Sequence, residues 1–115
     1  MSRILIVDDE PTLLQLLRRY LERQGYQVEA HESAESALAS FQQDPAQFAM
    51  VVADLTLPGA SGAELIEKLR AQNPTLPGLI TSGYPYEPQL KGVGFLQKPF
   101  LPQLLVDAIA KTLKA

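Results

Sequence analysis

The sequence predicts an α/β domain three layers deep, with helices on both faces of a doubly wound sheet of five parallel strands. Three observations predict it. Short apolar runs recur along the 115 residues, each is followed by a stretch with helical spacing, and glycine or proline marks most of the junctions. With 46% hydrophobic and 20% charged residues, a chain of this length buries one core without metals or disulfides, so residues 1–115 are expected to form one domain.

The first run, Ile4 to Val7, is continuous rather than alternating, as expected for a strand covered on both faces. Asp8, Asp9 and Glu10 lead into Pro11, which suits the first turn of a helix. Leu13, Leu14, Leu16, Leu17, Tyr20 and Leu21 then recur at helical spacing until Gly25. Tyr26 to His31 reads as a second strand. Ser33 caps a helix carrying Ala34, Ala37, Leu38 and Phe41 on one face, and Asp44-Pro45 closes it. Phe48 to Ala53 forms the third strand and ends at Asp54. The turn residues of LTLPGASG follow, Glu64 to Arg70 resume helical spacing, and Asn73-Pro74 breaks that helix. Leu79 to Thr81 gives a fourth strand ending in Ser82-Gly83, and Gly94 to Gln97 a fifth. Pro102 opens a last helix with Leu104, Leu105, Ala108, Ile109 and Leu113 on its inner side. Between the last two strands Pro85 and Pro88 forbid a full helix, so a short or irregular fourth helix is expected, a single turn around Glu87 to Lys91. Such alternation implies the flavodoxin-like strand order 2-1-3-4-5, in which ligands lie beyond the carboxyl ends of the strands, where the first and third diverge.

Composition removes several function classes. Without cysteine, and with His31 alone, the chain cannot build a disulfide, a thiolate metal site, a cysteine nucleophile or a histidine-based zinc site. A net charge of -3 with no Lys/Arg run lacks the basic stripe that nucleic-acid binding needs. No apolar stretch is long enough to span a bilayer, and MSRILIVDDE has the wrong layout for a signal peptide. A cytoplasmic chain with neither nucleic acid nor membrane as a partner is expected.

The predicted strand ends carry Asp8 and Asp9, Asp54, Ser82 and Lys98. Taken singly, an acid pair before a helix is as readily a cap, Asp54 a turn residue, Ser82-Gly83 loop chemistry and Lys98 a solvated cation. Their convergence on one edge raises the functional reading. Three gathered carboxylates repel one another unless a cation neutralises them, and Mg²⁺ takes hard oxygen ligands of this kind. A carboxylate beside such a metal is a competent nucleophile toward a phosphoryl group, with the Lys98 ammonium and the Ser82 hydroxyl placed to meet the transferred oxygens.

Four motifs in this order, ILIVDDEP (4–11), VVADLTLPGASG (51–62), LITSGY (79–84) and GFLQKPF (94–100), closely resemble the receiver domain of two-component response regulators. The likeness covers essentially the whole chain. It implies a signalling phosphoacceptor rather than an enzyme, taking a phosphoryl group onto Asp54 from the phosphohistidine of a histidine kinase or histidine phosphotransfer protein. By the same resemblance, Asp9 and Asp54 bind Mg²⁺ directly, the Thr56 backbone carbonyl adds a ligand, and Asp8 acts through a metal-bound water. Ser82 is the switch hydroxyl, with Thr81 its less favoured neighbour, Lys98 contacts the phosphoryl group, and Lys98-Pro99 is a cis peptide. Phe95 is the aromatic expected to turn inward on phosphorylation. Thr56 and Tyr84 occupy the positions that gate attack by water, where a bulky Tyr84 is expected to shield the phosphoryl group. SGY followed by a short fourth helix resembles receivers attached to hybrid histidine kinases. The shortened segment puts the usual dimerisation face in question and leaves a weak homodimer open. The alternatives are a receiver-like interaction module not regulated by phosphorylation and a Mg²⁺-dependent phosphohydrolase, which would need a second carboxylate where Thr56 stands.

Overall fold

Ile4, Leu5, Ile6 and Val7 are at most 1% exposed, and a computed structural model, which describes residues 3–114, shows why their run is unbroken. They lie in β1 (Arg3–Val7), flanked in one parallel sheet by β2 (Gln27–His31), β3 (Phe48–Asp54), β4 (Gly78–Ser82) and β5 (Val93–Gln97), in the order β2-β1-β3-β4-β5. Leu5 and Val7 pack toward α2 (Ala34–Gln43) and α3 (Gly62–Arg70), whereas Ile4 and Ile6 pack toward α1 (Pro11–Arg23) and α4 (Pro102–Lys114). Alternate side chains of a strand point to opposite faces, so a sheet covered on both needs apolar residues at every position. The expected class and strand order are those observed.

Local chemistry sets each helix. α1 opens on Pro11 and buries Leu14, Leu17 and Leu21, while Leu16 is 53% exposed; Gly25, at φ 94°, takes the left-handed conformation of the turn that follows. The Ser33 hydroxyl oxygen accepts from the Ser36 N–H (3.2 Å) to cap α2. That helix is pinned to β2 by the His31 ring, which lies 2.9 Å from both the Ser36 hydroxyl and the Glu29 carboxylate, and by the Ser40 hydroxyl, which donates to Glu29. Ser61 and Glu64 form a capping box, so α3 begins at Gly62, two residues before the expected Glu64. Between β3 and α3, Thr56–Leu57 and Ala60–Ser61 make a short antiparallel ladder around Pro58-Gly59, with Gly59 at φ 76° as a type II turn requires.

Two expectations are corrected. In α4, Leu104 (50% exposed) and Leu113 (39%) lie outside, and Val106 (8%) is buried with Leu105 and Ile109 instead. This rotation brings Val106 into the cluster with Ile4, Leu14 and Leu79 and leaves the Gln103 side-chain amide oxygen to accept from the Tyr20 hydroxyl on α1 (2.8 Å). The single helical turn expected around Glu87–Lys91 is also absent. Pro85 and Pro88 remove amide donors and push Tyr84 and Glu87 toward extended backbone, so the chain from Gly83 to Gly92 has no helix. It runs as a strap with Tyr86, Pro88 and Leu90 partly buried and Tyr84, Glu87 and Gln89 exposed. The Tyr86 ring lies 6.2 Å from Phe95, and a turn closed by the Val93 N–H on the Leu90 carbonyl (3.2 Å), with Gly92 at φ 78°, leads into β5.

Candidate functional site

The register of the sheet sets the site. Val7 lies beside His31 and Ala53, Asp54 beside Thr81, and Ser82 beside Gln97, so the five strands end almost level. Asp8 continues β1, its N–H donating to the His31 carbonyl (3.0 Å), and Lys98 continues β5, its N–H donating to the Ser82 carbonyl (2.7 Å). The Lys98–Pro99 peptide is cis.

Their side chains meet. The Lys98 ammonium donates to Asp8 Oδ2 at 2.8 Å, to Asp54 Oδ2 at 3.1 Å and to Glu10 Oε1 at 3.4 Å. Each buried carboxylate spends its other oxygen on backbone: Asp8 Oδ1 accepts from the Glu10 N–H (2.9 Å) and Asp54 Oδ1 from the Thr56 N–H (3.2 Å). Asp8 is 3% and Asp54 8% exposed, while Asp9 stands in solvent. Oxygens of all three aspartates lie within 4.8 Å of one another.

Burial pushes the Asp54 carboxyl above its ordinary pKa, and the charge of Asp8 adds to the shift, against hydrogen bonds from Thr56 and Lys98. For Lys98 burial alone would lower the pKa. The hydrogen bonds and charge of Asp8 and Asp54 outweigh it and hold the ammonium above the usual lysine value, so it is charged. One cation among four acidic side chains leaves an excess of hard, anionic oxygen at an edge open on the Asp9 side. Such a donor set suits a divalent cation of the Mg²⁺ type.

The other residues singled out in the sequence surround this cluster. Ser82 is 1% exposed, and its hydroxyl oxygen accepts from the Tyr84 N–H (3.2 Å), which leaves its own proton to donate. Thr81 is also buried and pairs with Asp54 across the ladder. The Thr56 hydroxyl lies 3.4 Å from the Tyr84 hydroxyl. Phe95 sits three residues before Lys98, half-buried against Tyr86.

Two contributors escaped the sequence reading. Glu10 joins the ammonium, and its place two residues past Asp8 was the available signal. Gly62 opens α3 directly against the end of β3: a Cβ there would stand 2.4 Å from the Asp54 carbonyl oxygen, closer than such atoms approach. A residue other than glycine would have to displace Asp54 or the helix.

Residues 4–110 match the model of the response regulator receiver domain. The transcriptional regulatory protein ResD of Bacillus subtilis is 29% identical over 98% of this chain and 48% of its own length. The receiver domain of the hybrid histidine kinase CckA has a similar structure, with TM-score 0.89 and 30% identity over 97% of this chain and 99% of that one. So has the response regulator protein TrrA of Thermotoga maritima, solved in complex with Mg²⁺-BeF, with TM-score 0.85 and 29% identity over 97% and 99% of the two chains. The chain spans between 24% and 48% of the length of the curated regulators it matches.

The raised Asp54 pKa has a consequence for stability. A carboxyl whose pKa the fold raises contributes stability that is fully present below its unfolded-state pKa and is lost as pH rises through its folded-state pKa. In metal-free protein near pH 7, Asp54→Asn is therefore expected to melt higher than the parent, by on the order of a few °C. The gain should shrink to nothing as pH falls through the carboxylate range. Thermal scans across pH check this, and a variant no more stable than the parent at pH 7 would contradict it.

Proposed function

The chain belongs to the response regulator receiver domain family, and from that premise we propose that Asp54 is its phosphoacceptor, with Asp8 and Asp9 completing a Mg²⁺ site. Receiver domains are the signalling phosphoacceptor modules of two-component systems and work with histidine kinases or phosphotransfer proteins. The observation that carries the assignment is the bridge from Lys98 to both Asp8 and Asp54, at the strand ends where ligands of such sheets bind.

Asp8, Asp9, Asp54 and the Thr56 carbonyl would hold Mg²⁺, which when bound would supply positive charge against the oxygens of the incoming phosphoryl group. The steps belong to this chain's own residues. A carboxylate oxygen of Asp54 bonds to phosphorus as the bond from phosphorus to the donor's imidazole nitrogen breaks, and the nitrogen keeps the electron pair. Lys98, held charged, exchanges a carboxylate oxygen for a phosphoryl oxygen. Ser82 turns its free proton to another. Because the Ser82 hydroxyl also holds the Tyr84 N–H, its movement pulls on the strap whose Tyr86 touches Phe95, and this supports Phe95 as part of the readout.

The donor is a phosphohistidine, and the CckA similarity supports a receiver of the hybrid-kinase type. We place the chain in the cytoplasm as one domain with no direct nucleic-acid or membrane partner and at most a weak homodimer. Among the described residues no helix is long and apolar enough to cross a membrane. Thr56, two residues past Asp54, is no acid/base for a phosphohydrolase, and intact Asp8, Asp9, Asp54 and Lys98 argue against an interaction module indifferent to phosphate.

Incubation with Mg²⁺ and acetyl phosphate, read by intact mass, should add one phosphoryl group to the parent and none to Asp54→Asn. No gain in the parent with this donor or a phosphorylated kinase would defeat the proposal. In the same mass trace, Tyr84→Ala should lose the label several-fold faster, since the contact between Thr56 and Tyr84 supports a shield against water. Equal decay would remove Tyr84 from that role.

A further inference from the structure

Glu35 on α2 and Lys68 on α3 are exposed side chains of opposite charge on neighbouring helices, and among the described residues neither makes a side-chain hydrogen bond or ion pair. Their own helices offer them no partner. α2 carries no basic residue, and Glu64, one turn before Lys68, is taken by the Ser61 N–H (2.9 Å).

Both charges line one cavity of about 230 Å³, with Ala34 and Leu38 of α2, Leu65 of α3 and the turn at Gly59 completing most of its wall. It stays open because the residues around it are small: Ala34 presents only a methyl group, and a Cβ built on Gly59 would meet no atom within 4 Å. Leu65, 1% exposed, and the partly buried Leu38 make its body apolar. Size bounds the occupant. Sites for drug-sized ligands start near about 300 Å³, and a water molecule takes about 30 Å³ in the liquid, so this cavity suits on the order of ten non-hydrogen atoms.

We propose that this cavity binds a small zwitterion of amino-acid size, its ammonium on Glu35, its carboxylate on Lys68 and its aliphatic body against Leu38 and Leu65. An amine or a carboxylate alone leaves one wall charge unmet, whereas a zwitterion meets both and covers apolar surface between them.

The turn under the ligand leads back to the strand ends. Leu57 pairs with Ala60 and Thr56 with Ser61 on either side of it, and the Thr56 N–H donates to Asp54 Oδ1 (3.2 Å). A ligand packed on Gly59 restrains the ladder that holds Asp54. The consequence for signalling rests on Asp54 being the phosphoacceptor; the binding does not.

Leucine, titrated into the isotope-labelled full chain, tests this, with isoamylamine and 4-methylpentanoate as the same body carrying one charge each. The Leu38, Gly59 and Thr56 amide resonances should move along one single-site curve with a dissociation constant on the order of millimolar, while Gly94 on β5 stays still. Each half molecule should bind on the order of fivefold more weakly, having lost one exposed ion pair. Glu35→Lys should weaken leucine binding on the order of tenfold, and Glu35→Lys with Lys68→Glu should restore it with the charges exchanged, thermal scans confirming that both variants fold. Still resonances of Leu38 and Gly59 at roughly 50 mM leucine, equal binding of either half molecule, or a double variant no better than the single one would overturn the proposal. Movement of Leu38 and Gly59 without Thr56 would overturn the link to Asp54. Shifts that grow with protein concentration in the absence of leucine would give the cavity to a second copy of the chain and overturn the ligand assigned to it.

Discussion

One ammonium group, that of Lys98, joins segments 90 positions apart, touching Asp8 near the start of the chain and Asp54 in its middle. For it to reach both, β1, β3 and β5 must end level, and the parallel registers with their apolar centres ensure that they do. The Lys98 side chain is 15% exposed and the side chains of Asp8 and Asp54 4% and 11%, so the pairs are shielded from the screening that weakens surface ion pairs. A lone carboxylate at such depth would protonate. The lysine's charge compensates two buried carboxylates that would otherwise repel each other.

That arrangement is poised rather than optimised. Burial raises the Asp54 carboxyl against its hydrogen bonds, and Gly62 lets α3 press on the Asp54 carbonyl where a larger residue could not stand. Nearby, Ser82 is tied to a strap stiffened by two prolines in place of a helix. A helix moves as a rigid rod, whereas an extended strap transmits displacement through its anchors, here Tyr84, Tyr86 and Leu90.

Much of this was legible in the sequence because its physics is local. Ile4 to Val7 and Phe48 to Ala53 announce buried parallel strands, and the acids and the lysine stand where those runs stop. What was not legible depends on tertiary contact. Leu104 and Leu113 satisfy helical spacing as well as Val106 does, and which of them is buried depends on how α4 seats against α1 and the sheet. Pro85 and Pro88 showed that a full helix was impossible, but not that its replacement would keep no helical turn. Gly62 looked like turn chemistry, and its role appears only when β3 and α3 are seen to touch.

The central claim is that Asp8, Asp9 and Asp54 form one cation site that Lys98 occupies in part. The thermal midpoint as a function of Mg²⁺ concentration tests it most directly. Binding to the folded state alone stabilises by about 2.7 kcal/mol at a hundred times the dissociation constant. The parent should therefore rise with Mg²⁺ along a single-site curve, while a variant with Asp9→Asn and Asp54→Asn stays flat. A parent that does not respond, or a double variant that rises equally, would contradict the account.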